Sequence, residues 1–89
     1  MGKELTLTIY SDSGHAWVFV PFATLERYDL FCHELSRFSY YDDKGIYAEQ
    51  DCDATKVIDA ITKRGTNIAF EENHCEGMSP IRKLNRIEG

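Results

Sequence analysis

The stretch that most limits what this chain can fold into is its opening alternation. In Leu5-Thr6-Leu7-Thr8-Ile9-Tyr10 the apolar and polar residues exchange at every step. Side chains two apart share a face of a strand, so Leu5, Leu7 and Ile9 predict a half-buried strand. Ser11-Asp12-Ser13-Gly14 is turn chemistry: residues that bond their own backbone, followed by glycine. Trp17-Val18-Phe19-Val20 is aromatic and β-branched and stops at Pro21. Together they predict a hairpin.

The rest of the chain continues in the same vocabulary. Phe22 to Leu35 is helical in character, either one helix begun at Thr24 or two short ones broken near Asp29. Arg37 to Tyr41 and Gly45 to Glu49 flank Asp42-Asp43-Lys44-Gly45 and predict a second hairpin. Asp53 is placed to cap a helix whose residues Ala54, Val57, Ile58 and Ile61 fall on one face, with Gly65 just past its end. Asn67 to Glu71 alternates again, with Ile68 and Phe70 inward. Ile81 to Ile87 alternates poorly and is charged, as an edge strand is. The order β-β-α-β-β-α-β-β predicts an α+β two-layer sandwich, an antiparallel sheet with about two helices on one face. The 89 residues make a single domain, residues 1–89.

Composition narrows the function classes. Hydrophobic residues are 43% and charged residues 28%, a globular balance rather than a disordered one. The net charge of −5 argues against non-specific nucleic-acid binding, which requires a basic surface, and against docking on an anionic membrane. Met1-Gly2-Lys3-Glu4 leads directly into the alternating run, so no signal peptide is expected, and no run is long enough to span a membrane. Cys32, Cys52 and Cys75 are odd in number and irregular in spacing, which predicts reduced thiols and a cytoplasmic protein.

Two polar segments hold the groups that chemistry or recognition would use. In the first, His15 could serve as a base oriented by Asp12, beside Trp17, making Asp12, His15 and Trp17 a candidate ligand site. Turn chemistry explains every residue type there except His15. In the second, Glu49, Asp51, Cys52 and Asp53 cluster at a helix start. The spacing lacks the oxygen ligands and glycine of a calcium loop, and helix capping accounts for Asp51 or Asp53. A Cys52–His15 thiol–imidazole pair would gain from a helix N-terminus but has no third group. Cys32-His33 and His74-Cys75 offer adjacent ligands without the intervening residues that shape a zinc site. No metal, no cofactor and no catalytic residue is expected.

Charge is uneven. Asp42, Asp43, Glu49, Asp51, Asp53 and Asp59 face only Lys44 and Lys56 in that stretch, with Tyr40, Tyr41 and Tyr47 interleaved. Tyrosines among carboxylates suit protein recognition. The predicted partner surface is Tyr40, Tyr41, Asp42, Asp43, Tyr47, Glu49, Asp51 and Asp53, and the predicted partner has a basic surface.

The strings Tyr10-Ser11-Asp12-Ser13-Gly14-His15-Ala16-Trp17, Val20-Pro21, Ser36-Arg37-Phe38-Ser39-Tyr40 and Glu49-Gln50-Asp51-Cys52-Asp53-Ala54 resemble a family of small proteins of bacteriophages, prophages and plasmids. The resemblance covers nearly the whole chain, apart from an expanded segment, Asp29 to Glu34. It implies a setting and not an activity. In that setting the expectation is a non-enzymatic protein of the host cytoplasm that blocks a host protein or nucleoprotein complex, as anti-CRISPR inhibitors do. Two other expectations stand beside it: a small ligand-binding or catalytic domain using Asp12, His15 and Cys52, and a dimeric accessory protein joined through the sheet's free edge or open face.

Overall fold

A computed structural model describes residues 3–30, 39–50, 53–77 and 80–86. It is a small α+β sandwich. In chain order come β1 (Lys3–Ser11), β2 (Ala16–Pro21), α1 (Phe22–Arg27), β3 (Tyr40–Tyr41), β4 (Gly45–Glu49), α2 (Ala54–Thr62), β5 (Thr66–His74), a 3-10 turn (Pro80–Lys83) and β6 (Asn85–Arg86). The strands form one six-stranded sheet in the order β5-β1-β2-β4-β3-β6.

Both expected hairpins are present. β1 and β2 pair antiparallel from Thr8↔Phe19 to Ser11↔Ala16, and β3 meets β4 through Tyr40↔Tyr47 and Tyr41↔Ile46. One pairing departs from the all-antiparallel expectation. β5 lies parallel to β1 over nine residues, from Lys3↔Thr66 to Ser11↔His74. The reason is α2. A parallel neighbour needs a crossover, and a helix between β4 and β5 carries the chain back across the sheet face to re-enter in the direction of β1.

Alternation sorts the side chains. Leu7, Val18, Val20, Ile46 and Ala48 are buried on one face against Leu25 and Tyr28 near α1 and Ala54, Val57 and Ile61 of α2. Each fully buried aliphatic side chain there contributes about 1.5–3 kcal/mol. The α2 residues recur every three or four positions, so one stripe faces the sheet. The opposite face is aromatic. Trp17 and Tyr40 pack there with Ile81, joined by Tyr10, Tyr47 and Leu84. The tail segment thus covers part of the face the helices leave open.

Local details correct several expectations. α1 starts directly after Pro21, which occupies the N-cap position, so Thr24 lies inside the helix. The helix stops at Arg27, and Asp29 adopts a left-handed φ of 55°, the break expected near that residue. Arg64 secures this end: it donates to the Arg27 carbonyl (2.9 Å), pairs with Asp29 (2.6 Å) and lies 5.8 Å from the centre of the Tyr28 ring. Asp53 sits at the N-cap of α2 but makes no side-chain capping bond. Phe70 shares the face of Leu7 yet is 42% exposed, because β5 is outermost in the sheet. Of the predicted strand over Ile81 to Ile87, the 3-10 turn Pro80–Lys83 takes the first part and Asn85–Arg86 alone is strand among the described residues; Ile87 lies outside them. The expected start of the second hairpin at Arg37, and the Cys32-His33 pair, lie outside the described residues. No helix is long and apolar enough to cross a membrane among the described residues.

Candidate functional site

Strand direction decides which polar groups meet. β2 is antiparallel to both β1 and β4, so β1, β4 and β5 all run the same way. Their C-terminal ends reach one end of the sheet together. The turn after β1, the end of β4 and the end of β5 therefore converge there, the position where open sheets with parallel strands commonly place ligands.

The turn is built by Asp12. Its N–H donates to the His15 carbonyl (2.8 Å), and its Oδ1 accepts the N–H groups of Gly14 and His15 (both 2.9 Å). This buried carboxylate is thus a turn anchor, as the sequence suggested. The carboxylate found beside the His15 ring is Glu49: Nδ1 of His15 lies 3.7 Å from Glu49 Oε1. Trp17 and Glu49 stand opposite each other across β2 and β4, and the Gln50 N–H donates to the Ala16 carbonyl (3.0 Å), which closes the two segments together. His15 is 48% exposed, whereas the Glu49 side chain is only 9% exposed. Trp17 is not an open aromatic platform. It is 2% exposed, set edge-on to Tyr40 with ring centres 6.1 Å apart.

Beside this turn lies a shallow depression of about 330 Å³, lined by Ser11, Ser13, His15, Gln50 and His74 among others. Ser11 Oγ and His74 Nδ1 are 2.9 Å apart across it. An imidazole next to a carboxylate is suited to hold or pass a proton. Acyl or phosphoryl transfer would also require donors for developing negative charge. The backbone N–H groups of Gly14 and His15 are already given to Asp12. Among the described residues, no three His, Cys, Asp or Glu side chains converge as a metal site would.

Just behind Glu49 is a buried polar knot. Ser39 donates its hydroxyl to Asp53 Oδ2 and accepts the N–H of Glu49 (2.9 Å). Asp53 and Ser39 are fully buried, and Lys56 approaches Asp53 Oδ1 at 3.7 Å. The knot ties β4, the start of α2 and the residue before β3 to one another.

The β3–β4 turn lies at the other end of the sheet. Asp42 Oδ1 accepts the N–H groups of Lys44 (2.9 Å) and Gly45 (3.1 Å), and its Oδ2 accepts the Tyr47 hydroxyl (2.8 Å). Slight burial raises the Asp42 pKa, but these bonds and the Lys44 charge outweigh it and hold the carboxyl below its ordinary value. Burial, reinforced by the bond to Asp42, holds the Tyr47 phenol well above its ordinary value. The same turn demands glycine at position 45. A side chain there would run into the Val20 carbonyl and the Pro21 backbone on the neighbouring strand.

The expected eight-residue recognition surface is therefore divided. Tyr41 and Asp43 are exposed at the hairpin, whereas Asp42 and Tyr47 are half-buried, Tyr47 on the opposite face of the sheet from Tyr41. Tyr40 is buried on the aromatic face, Glu49 is buried at the far end beside His15, and Asp53 lies in the interior. Those three are corrections: alternation turns Tyr40 away from Tyr41, and Asp53 is drawn inward by Ser39. Asp51 and Cys52 lie outside the described residues, and with them the Cys52–His15 pair. The residues whose role the sequence did not reveal are Ser39, His74 and Gln50. The sequence marks His74 only as half of the His74-Cys75 pair and gives Ser39 and Gln50 no role; strand pairing brings Gln50 and His74 to the depression and Ser39 to the knot behind Glu49. Compared with known proteins, the chain matches no family model, no curated protein and no solved structure.

Proposed function

We propose that this chain is a non-enzymatic protein of a mobile element that binds and blocks a host protein or nucleoprotein complex with a basic surface, in the manner of an anti-CRISPR inhibitor. The observation that carries the binding half of this reading is the hairpin tip. Three hydrogen bonds fix Asp42 in the turn, and the adjacent Tyr41 and Asp43 are left exposed on a preset frame. A contact group that is already ordered loses less conformational entropy on binding. The net charge of −5 favours encounter with a cationic groove. The mobile-element setting rests on the sequence resemblance. The test is capture of the partner by tagged wild-type protein and by Asp43→Lys. Equal capture by both would remove this surface from the account.

The second reading, a small ligand-binding domain, is favoured by the approach of His15 to Glu49 at the rim of the depression. A small molecule that shifts the His15 and His74 ring signals at stoichiometric concentration would support it.

A further inference from the structure

The two edges of the sheet are unlike. One is β6, two residues long among the described residues. The other is β5, nine residues long, with no strand beyond it among the described residues. Natural sheets blunt such an edge with charged side chains, lysine above all, or with proline, a bulge or a very short strand. Thr66-Asn67-Ile68-Ala69-Phe70-Glu71-Glu72-Asn73-His74 has no proline and no lysine, and its register with β1 runs unbroken for all nine pairs. Its charges are confined to Glu71 and Glu72, so the stretch from Thr66 to Phe70 carries none of these devices, and there Phe70 exposes 42% of its surface.

We propose that β5 pairs antiparallel with β5 of a second copy of this chain, about a two-fold axis at Phe70, to give a continuous sheet across a homodimer. The strand is its own complement in that register. Phe70 meets Phe70 of the other copy, Glu71 faces Ala69, and Glu72 faces Ile68, so no two carboxylates stand directly opposite. Shifting the axis to Glu71 or Glu72 sets like charges against each other, which cross-strand pairing penalises. A two-fold interface needs this kind of self-complementarity. Both copies are acidic, so added salt screens their repulsion and strengthens the dimer. That trend is opposite to the one expected for a basic partner at the hairpin. The two surfaces lie on different strands, and neither proposal depends on the other.

Sedimentation equilibrium over a wide concentration range tests the proposal. The mass should rise from 10.2 kDa toward twice that value, more readily at higher salt. Phe70→Lys should weaken association by about tenfold or more. Phe22→Lys, at an exposed phenylalanine outside β5, should leave it unchanged. If Phe70→Lys fails to fold, amide exchange of the wild type gives the reading: protection within Thr66–His74 should increase with protein concentration. A monomer at every concentration, or a dimer indifferent to Phe70→Lys with unaltered β5 exchange, overturns the proposal.

Discussion

Trp17 and Glu49 face each other across β2 and β4, and this pairing joins the Asp12–His15 turn to the end of β4. Thirty-odd residues separate the two segments in sequence, yet His15 and Glu49 come within 3.7 Å. The polar end of the sheet is thus a product of register. Its carboxylate partner for His15 comes from the second segment, while Asp12 holds the backbone.

Ser39 should be a stability determinant. Its hydroxyl links Asp53 to the Glu49 backbone in a fully buried setting. Ser39→Ala removes both of these buried bonds, and unfolding in denaturant should show a loss of about 1–3 kcal/mol. A loss below about 0.5 kcal/mol, the range of ordinary surface changes, would mean the knot adds little.

The Asp42–Tyr47 bond should appear in the pH dependence of stability. Asp42 is depressed when folded, so its contribution is present above its ordinary carboxyl range and is lost as pH falls through the folded value. Tyr47 is raised when folded, so its contribution is present below the ordinary phenol value of 10.0 and is lost as pH rises beyond it. Tyr47→Phe should cost about 1 kcal/mol near neutral pH and flatten the alkaline side of the stability profile. An unchanged alkaline limb would contradict the pairing.

Gly45→Ala should be costly for a purely steric reason. The new methyl group would meet backbone of β2, which cannot turn aside as a side chain can. A loss of about 2 kcal/mol or more is expected from thermal or denaturant unfolding. The same change at Gly65 acts differently: there is open space around that residue, and its φ of 83° is the obstacle.

Arg64→Lys should show that the link between α1 and α2 depends on guanidinium geometry. Lysine cannot hold the Arg27 carbonyl and the Asp29 carboxylate in the same fork. These groups are largely exposed, so a loss of at most about 1 kcal/mol is expected, with faster amide exchange around Leu30, whose N–H bonds to the Leu25 carbonyl. Unaltered exchange there would assign the contact no role in holding the helix end.

The architecture was largely legible because two periodicities carry it. The alternation at Leu5 to Tyr10 and the helical spacing of Ala54, Val57, Ile58 and Ile61 each report a local geometry. The parallel β1–β5 pairing was not legible, since alternation shows which face is buried and not which neighbour is chosen. The same limit hid the site. Asp53 looked like a surface cap because caps are a local rule, while Ser39, which draws it inward, lies fourteen residues away. Tyr40 and Tyr41 looked alike in sequence, and one step of strand alternation buries the first and exposes the second.

The central claim is that the hairpin bearing Tyr41 and Asp43 engages a basic host partner. Its most direct test is affinity capture from host lysate at low and moderate salt, with wild type and Asp43→Lys compared side by side after both are shown to be folded. The account predicts one stoichiometric complex on the wild type, weakened by salt and lost with Asp43→Lys. A folded wild type that retains nothing specific, or a complex retained equally by the variant, would contradict it.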